Sequence, residues 1–400
     1  MMNTPDSSPR SLEWLSESLE GLRRQDLLRD PRIRRERQGP VITLDGRRCV
    51  NFGSNDYLGL AGDPRLVGAV REALAGEGFG AGASPLICGR ASLHDALEAA
   101  LGRFEGTEAA IVFSSGYAAN CGTIPTLVGP GDAVYTDAKN HASIWDGCRL
   151  SRADVKVYRH GDADHLATLL AKPHRHRRRL IVTDTVFSMD GDLAPLPELA
   201  EVADRYGAML MADEAHATGV FGELGRGLCE ASGVENRVPI RVGTLSKALG
   251  GTGGFTAGCR LLTSWLFQRA RSYVFSTAFP AALSAAALAA LAIVQAEPNA
   301  RRTLLQRAEA VREALRGRGW NVGRSQSQII PIIVGDARTA VELSAALWDA
   351  EVFVPAIRPP TVPEGEACLR LSLTAAHDES HVAQLFESLE NLRDRFLPRR

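Results

Sequence analysis

Between residues 109 and 213 the sequence alternates short apolar runs with segments of helical pattern. Five runs predict strands: AAIVF (109–113), DAVYT (132–136), VKVY (155–158), LIVTD (180–184) and AMLMAD (208–213). The segment DLAPLPELAEVADRYG (192–207), with proline near its start and glycine at its end, is typical of a helix. This alternation predicts an α/β fold with a mostly parallel central sheet, covered by helices on both faces. In such folds the ligand site lies beyond the carboxyl ends of the strands.

The length and the change of pattern along the chain predict more than one domain. A chain of 400 residues exceeds the usual size of a single domain. Leucines at helical spacing occur near the N-terminus, and helix and strand patterns resume after the long apolar helix that follows Pro280. We therefore predict an N-terminal helical segment (1–48) that is part of the small domain, a large domain (49–296) and a small α+β C-terminal domain (297–400).

Composition excludes several classes of protein. With 46 basic and 47 acidic residues, the net charge of −1 argues against nucleic acid as a partner. The longest nearly apolar stretch, Ala281 to Val294, is too short to span a bilayer, and the N-terminus lacks the apolar region of a secretory signal. The seven cysteines are scattered without a C-x-x-C pair, which favours reduced thiols and no structural zinc. We expect a cytoplasmic protein without a membrane segment or a metal.

Lysine is rare in this chain, and the scarcity narrows the search for an amine nucleophile. Only four of the 46 basic residues are lysine: Lys139, Lys156, Lys172 and Lys247. Arginine stays protonated, whereas a lysine amine can be tuned to form an imine. Lys247 lies in GTLSKALGGTGG (243–254), after a predicted strand and before glycines that allow the backbone to approach a bulky ligand.

The motif DEAHATG (213–219) follows the strand AMLMAD and has several interpretations. A helicase would need a phosphate-binding loop with a Gly-Lys pair, and the sequence contains no such pair. A metal site would need more ligands than Asp213 and His216. Two interpretations remain: a carboxylate that holds a cationic ring nitrogen with a nearby histidine assisting, or an aspartate that caps the next turn.

Three more motifs follow predicted strand ends. In FSSGYAANCGTI (113–124), Gly116 and Tyr117 lie where a helix N-terminus would bind phosphate, although an ordinary strand-to-helix turn fits equally well. His141 in KNHASIWDG (139–147) is either catalytic or structural, and Ser188 lies in TVFSMDGD (185–192). Together these strand ends supply a phosphate cradle, a carboxylate, two histidines and a lysine, which is the set that pyridoxal 5′-phosphate needs.

The motifs as a set resemble those of the α-oxoamine synthase family of fold-type I pyridoxal-phosphate enzymes. The resemblance covers about residues 15 to 390 and rests on NFGSNDYLGL (51–60), SSGYAAN (114–120), NHASIWDG (140–147), DEAHATG, GTLSKALGG and FSTAFP (275–280). Tyr117 stands where phenylalanine is common in the family, and Ala217 where glycine is common.

The resemblance implies specific roles for the site residues. Lys247 would form the imine with pyridoxal phosphate and act as the base, and Asp213 would pair with the ring nitrogen. His141 would stack on the ring, and Ser188 and His216 would hydrogen-bond its oxygen. The remaining residues that it implies are, for the cofactor, Gly116, Tyr117, Thr244 and Thr277, the last reaching the phosphate of the neighbouring subunit, and, for the substrates, Arg370 on the amino-acid carboxylate with Arg29, Asn55, His141 and Thr361.

The resemblance also implies the reaction and the assembly. We expect a homodimer with shared active sites that condenses L-alanine with an acyl-CoA or acyl-carrier-protein thioester, with loss of CO₂. RPPTVPEGEACLRLSLTAAH (358–377) favours the subgroup that uses a pimeloyl thioester in biotin biosynthesis. A related synthase that uses glycine or another acyl-CoA is the alternative. Two further alternatives are an aminotransferase on the same fold and a non-enzymatic binding protein on a degenerate scaffold.

Overall fold

The computed structural model describes residues 9–397. Fourteen α-helices occur in this part of the chain: α1 Glu13–Arg24, α2 Pro64–Glu77, α3 Ser92–Glu105, α4 Gly116–Leu127, α5 Ala142–Ser151, α6 Ala163–Leu170, α7 Leu196–Tyr206, α8 Leu228–Ala231, α9 Arg260–Arg269, α10 Arg271–Val274, α11 Ala281–Ala296, α12 Pro298–Gly317, α13 Ala337–Asp349 and α14 Glu379–Phe396. The strands are β1 Arg34–Arg35, β2 Val41–Leu44, β3 Arg47–Asn51, β4 Ala109–Phe113, β5 Ala133–Asp137, β6 Asp154–Tyr158, β7 Arg179–Asp184, β8 Met209–Asp213, β9 Ile240–Thr244, β10 Gly254–Gly258, β11 Ile329–Gly335, β12 Val352–Phe353, β13 Ala356–Ile357 and β14 Ala367–Ser372.

Seven strands form the central sheet, in the order β4-β10-β9-β8-β7-β5-β6. The pairs between β9, β8, β7, β5 and β6 are parallel, and β10 runs antiparallel to both of its neighbours. All residues of β5, β9 and β10 are buried, as expected of strands covered on both faces. The prediction of a mostly parallel sheet is confirmed, and each of the five predicted strands exists to within one residue at either end.

Strand β10 has no counterpart among the predictions. Its sequence, GFTAG, follows a glycine-rich turn and contains two glycines, which weaken a strand pattern. The structure nevertheless needs glycine at this strand's start. A Cβ at Gly254 would lie 2.5 Å from the backbone nitrogen of Gly116 and the carbonyl oxygen of Ser115. The missing side chain lets β10 pass directly under the N-terminus of α4.

The two ends of the chain share a sheet. Strands β1, β2, β3 and β12 form a four-stranded sheet, in which β3 near the N-terminus pairs in parallel with β12 near the C-terminus. A three-stranded sheet, β11-β14-β13, carries the rest of the C-terminal part. The helix within the segment predicted as helical is α1, and β1 and β2 follow it. The boundaries 1–48, 49–296 and 297–400 stay predictions, and residues 1–8 and 398–400 lie outside the described part.

No single helix within residues 9–397 combines the length and the hydropathy of a membrane span, although α11 and α12, bent by 75° relative to each other, pass the same test as a pair.

Candidate active site

The glycine-rich turn that carries Lys247, called the lysine turn below, follows β9 at the carboxyl edge of the central sheet. Lys247 is partly buried there, and its Nζ lies 2.7 Å from Nε2 of His216. The turn closes through Gly250, whose φ is +63°. A Cβ at this position would lie 2.5 Å from the backbone of Leu60 and Ala61. Glycine therefore lets the lysine turn pack against the NFGSNDYLGL segment.

Tyr57, His216 and Lys247 form a hydrogen-bonded chain. His216 Nδ1 lies 2.6 Å from the Tyr57 hydroxyl oxygen. Burial, followed by the positive charge of Lys247, lowers the pKa of His216 well below its ordinary value of 6.5, so the ring is neutral and carries one proton. When Lys247 is an ammonium, Nε2 accepts a hydrogen bond from it and Nδ1–H donates to the Tyr57 hydroxyl oxygen. When Lys247 is a free amine, Tyr57 donates to Nδ1 and Nε2–H donates to Nζ. The chain thus accommodates both protonation states of the amine.

Burial lowers the pKa of Lys247 to about 8, although the negative charges of Asp213 and Asp184 partly offset the effect. A neutral amine is the form that attacks a carbonyl carbon. Near neutral pH a small but useful fraction of Lys247 is therefore already nucleophilic, unlike an ordinary lysine.

We expect the acylation of Lys247 in the cofactor-free protein to rise with a midpoint at about pH 8, because only the deprotonated amine reacts. Lys139 is the internal control. Burial alone would lower its pKa, but hydrogen bonds to Glu366 and Asp190 outweigh burial and raise it. Mass spectrometry after brief exposure to an amine-specific reagent at a series of pH values measures both lysines. A midpoint for Lys247 as high as that of Lys139 would contradict this prediction.

Asp213 ends β8 with its carboxylate buried at the same edge. One carboxylate oxygen accepts from Asn120 Nδ2 at 2.6 Å, and the other accepts from the backbone N–H of Ala215 at 2.9 Å. The side chain is 4% exposed. The two donors fix the carboxylate in one orientation, and a group that binds the ring nitrogen of a ligand needs such a fixed orientation. The interpretation of Asp213 as the carboxylate for the ring nitrogen fits this geometry and stays a prediction.

His141 precedes α5 and is held by its backbone and by Ser143. Its N–H donates to the carboxylate of Asp184 at 2.7 Å, and Nδ1 lies 2.7 Å from the hydroxyl oxygen of Ser143. Asn120 donates to the same hydroxyl at 2.9 Å, which connects His141 to Asp213. The ring itself is exposed, so one face is available for stacking on a planar ligand.

The N-terminus of α4 lies where the sequence predicts a phosphate cradle, and that role stays a prediction. A Cβ at Gly116 would lie 3.3 Å from Cβ of Thr244, so glycine brings the first turn of the helix against the end of β9. The Ser115 hydroxyl caps the helix through the N–H of Ala118, and no acidic residue lies in the first turn. The remaining first-turn N–H groups and the helix dipole favour an anion. Tyr117 points elsewhere: it is exposed, and its hydroxyl donates to Asp146.

Arg370 is a buried cation whose described hydrogen-bond partners are all uncharged. Its guanidinium donates to the carbonyl oxygen of Ser188 at 2.5 Å, to Asn55 Oδ1 at 3.0 Å and to the Ser372 hydroxyl at 2.7 Å. It is 5% exposed, and within residues 9–397 its guanidinium contacts uncharged groups and no carboxylate. A buried charge without a counter-ion costs free energy. A carboxylate ligand that pairs with Arg370 would remove this cost, which favours its binding here.

A cleft of about 790 Å³ opens beside these residues. Its lining includes His141 and Ser188 on one side and Arg29 and Thr361 on the other. Arg29 donates to the Thr361 hydroxyl at 3.3 Å, so two residues 332 positions apart meet at its rim. The volume lies within the range of about 300–1,000 Å³ that is usual for ligand sites.

Thr277 lies apart from this group. It is exposed on the segment between α10 and α11, where it lines a small cavity with Ser114 and Phe279. The lining of that cavity does not include Lys247 or His216. The predicted contact of Thr277 with a neighbouring subunit stays a prediction, since one chain is described.

The sequence did not single out three residues that organise the site. Tyr57 and Asn120 lie inside motifs that carried the resemblance, and a polar side chain within such a motif was the available signal. Asp184 ends the predicted strand LIVTD, directly beside Asp213 in the sheet register. Within residues 9–397 no three His, Cys, Asp or Glu side chains are placed to hold a metal ion.

The family Aminotransferase class I and II matches residues 47–389, most of the chain. The chain belongs to this family. A relative named 8-amino-7-oxononanoate synthase from Anaeromyxobacter sp. (strain Fw109-5) is 53% identical over 381 residues, which cover 95% of this chain and 96% of the relative. Another with the same name, from Anaeromyxobacter dehalogenans (strain 2CP-1 / ATCC BAA-258), is 50% identical over 372 residues, 93% of each chain.

Solved structures of this family share the fold. A structure described as SPT with a PLP internal aldimine superposes with a TM-score of 0.91 at 31% identity, covering 96% of this chain and 98% of its own. 8-Amino-7-oxononanoate synthase from Francisella tularensis superposes with a TM-score of 0.76 at 28% identity, covering 87% and 99%. The predicted family, the predicted fold-type I architecture and the prediction of a pyridoxal-phosphate-dependent acyltransferase are confirmed.

Proposed function

We propose that the chain condenses L-alanine with pimeloyl-CoA, or with the pimeloyl thioester of a carrier protein, to give 8-amino-7-oxononanoate, free thiol and CO₂ in biotin biosynthesis. The observation that carries the proposal is a buried Arg370 that lies close to the Lys247–His216 pair and has no carboxylate partner among residues 9–397. Such an arrangement binds an amino-acid carboxylate next to a nucleophilic amine. Relatives with this name at about half identity over nearly the whole chain support the assignment.

The residues present fit pyridoxal phosphate. The first turn of α4 together with Gly116 and Thr244 would hold the phosphate, the Asp213 carboxylate would hold the ring nitrogen, and Lys247 would reach the carbonyl carbon. The cradle at Gly116 is one that any larger side chain would fill, because a Cβ there would already touch Thr244. When bound, pyridoxal phosphate supplies an imine-forming carbonyl and a protonated ring that acts as an electron sink.

Lys247 and His216 manage the proton at the reacting carbon. The amine of Lys247, with a pKa of about 8, is the base that takes the α-proton of alanine. The neutral His216 ring then accepts a hydrogen bond from the ammonium through Nε2, while its Nδ1–H donates a hydrogen bond to the Tyr57 hydroxyl oxygen. The contact with His216 stabilises the positive charge that Lys247 acquires. The ammonium of Lys247 then returns the proton to the reacting carbon.

Asp213 carries a negative charge and Arg370 a positive charge, and each binds a different group: Asp213 the ring nitrogen of the cofactor, and Arg370 the carboxylate of alanine. The Asp213 carboxylate keeps a proton on the ring nitrogen, since a buried carboxylate favours a cation beside it. The planar guanidinium of Arg370 suits a two-point contact with the alanine carboxylate. Asn55 and Ser188 orient this guanidinium from two sides. The cleft lined by Arg29 and Thr361 would receive the acyl chain.

The assay that tests the proposal measures thiol release and CO₂ release with pimeloyl-CoA and a panel of amino acids. We expect one CO₂ for each thiol with L-alanine, and rates lower by about 10-fold or more with glycine and serine, since one small group in a fitted pocket changes binding by that order. Serine is included because the chain is similar to solved structures of serine palmitoyltransferase, abbreviated SPT.

Other outcomes would assign a different function. A keto-acid product without CO₂ would indicate an aminotransferase. Faster turnover with glycine or with a shorter acyl-CoA would indicate the related synthase. Failure to bind pyridoxal phosphate would indicate a binding protein on the same scaffold. The homodimer with shared sites and the cytoplasmic location stay predictions.

A further inference from the structure

His160 lies between two carboxylates beside the active-site turns. It follows β6, and its Nδ1 lies 3.0 Å from Oδ1 of Asp137 while its Nε2 lies 2.9 Å from Oδ2 of Asp192. Ionised carboxylates only accept hydrogen bonds, so both ring nitrogens must carry protons to pair with them. The ring is therefore an imidazolium, held on both sides.

The electrostatics agree with this geometry. Burial alone would lower the pKa of His160, but the hydrogen bonds to Asp137 and Asp192 outweigh burial and raise the pKa to about 9. The charged groups that face the ring are Asp137 at the end of β5 and Asp192 in the turn after β7. The third neighbour, the uncharged Phe187, packs edge-on at 4.4 Å between ring centroids.

Asp137 shapes the turn that carries His141. Its carboxylate accepts from the backbone N–H groups of Lys139 and Gly161, both at 2.8 Å. The side chain is 1% exposed, so its negative charge depends on these donors and on His160. Because Lys139 lies two residues before His141, the position of Asp137 sets the position of the stacking histidine.

Asp192 closes the turn that carries Ser188. Its carbonyl oxygen accepts from the N–H of Phe187 at 3.1 Å, and the N–H of Gly191 donates back to the Phe187 carbonyl at 2.8 Å. Ser188 lies in this turn, and its carbonyl oxygen accepts from Arg370. A shift of the turn would therefore move a group that orients the carboxylate-binding arginine.

We infer that His160 is a positioning residue: as an imidazolium bridging Asp137 and Asp192, it holds the His141 turn and the Ser188 turn in fixed relation for the cofactor. The ring is not part of the lining of the cleft. The inference rests on the proposed cofactor site and is independent of the acyl substrate.

The test uses His160→Gln, which keeps the size but cannot bridge two carboxylates as a cation. His176→Gln is the matched control, because His176 Nε2 also pairs with an aspartate, Asp154, at 3.2 Å, but in contact with neither turn. The dissociation constant of pyridoxal phosphate is measured by absorbance and protein fluorescence. We expect about a tenfold weaker affinity in His160→Gln, which corresponds to about 1.4 kcal/mol, and no change in His176→Gln.

A second measurement does not require the cofactor. In the cofactor-free protein labelled with ¹³C in its histidine rings, the signal that disappears in His160→Gln is that of His160. We expect it to titrate with a midpoint at about pH 9. The sign follows from the two carboxylates: the bridge is present below this pH and is lost as the pH rises through it.

Two results would overturn the inference. One is a His160 titration near the ordinary value of 6.5. The other is an unchanged affinity for pyridoxal phosphate in His160→Gln, even if its melting temperature falls, because that would leave only a structural role. If His160→Gln does not fold, Asp192→Asn replaces it and should weaken the affinity in the same direction. A wild-type protein that does not bind pyridoxal phosphate would instead contradict the proposed function.

Discussion

A Lys247→Ala protein should bind pyridoxal phosphate without the near-visible absorbance of an imine and should lose turnover by about 10⁴-fold or more. The physical reason is that, in the proposed function, this one side chain supplies both the nucleophilic amine and the base. In the structure no second lysine stands in for it among residues 9–397: Lys139 is engaged by Asp190 and Glu366, at 3.1 and 3.0 Å.

The measurement combines an absorbance spectrum with thiol release in the presence of L-alanine. Lys156→Ala is the control, since its ammonium pairs with Asp154 at 2.9 Å on the outer strand of the sheet and should leave both readouts unchanged. Borohydride reduction of the wild-type complex, followed by peptide mapping, should attach the cofactor to Lys247. A Lys247→Ala protein with normal turnover would refute the assigned chemistry.

An Asp213→Asn protein should lose turnover by about 10³-fold, equivalent to about 4 kcal/mol of transition-state stabilisation. Asparagine has nearly the same shape but only one acceptor oxygen, so the change removes the negative charge and one of the two hydrogen bonds that Asp213 accepts from Asn120 and Ala215. Without that charge nothing at the end of β8 keeps a proton on the ring nitrogen. Cofactor affinity should fall less than turnover, because the phosphate cradle at Gly116 and Thr244 is untouched.

Asp184→Asn is the matched control for this prediction. Asp184 lies opposite Asp213 in the register of neighbouring strands and is 2% exposed. Burial, followed by the negative charge of Asp213, raises the pKa of Asp184 well above its ordinary value, so the charged form of this carboxyl group is disfavoured. Asparagine can still accept from the His141 N–H, and we expect turnover to fall by no more than about tenfold. Equal losses in the two variants would show that the charge of Asp213 is unimportant.

The sequence predicted the central sheet well because its strands follow a simple rule. A strand buried on both faces must be almost wholly apolar, as in AAIVF and LIVTD, and helices with clear caps separate these runs. Strand β10 does not follow this rule, because Gly254 allows a close contact with the start of α4. That contact forms only in the folded chain, so the sequence pattern does not show it. Strands β1 and β2 were missed because they are short and lie in a charged segment next to a helix.

For the site, the sequence indicated which residues follow strand ends but not which of them touch. Lys247, Asp213, His141 and Ser188 were candidates because the carboxyl ends of parallel strands meet at one edge of the sheet. The role of Arg370 came from resemblance, and only the three-dimensional structure showed that no carboxylate of residues 9–397 pairs with it. His160 was not a candidate, because it lies outside the motifs that carried the resemblance and meets its two carboxylate partners only in the folded chain.

Local chemistry is therefore what the sequence by itself determined: the α/β class, the strand ends and the types of side chain that they bear. The tertiary structure decided the partners. His216 meets Tyr57 across 159 positions, and Arg370 meets Asn55 across 315. Such contacts depend on the order of strands in the central sheet and on the pairing of the two ends of the chain in a separate sheet. Neither the periodicity of apolar residues nor the spacing of motifs encodes that order, because each reports only on neighbours along the chain.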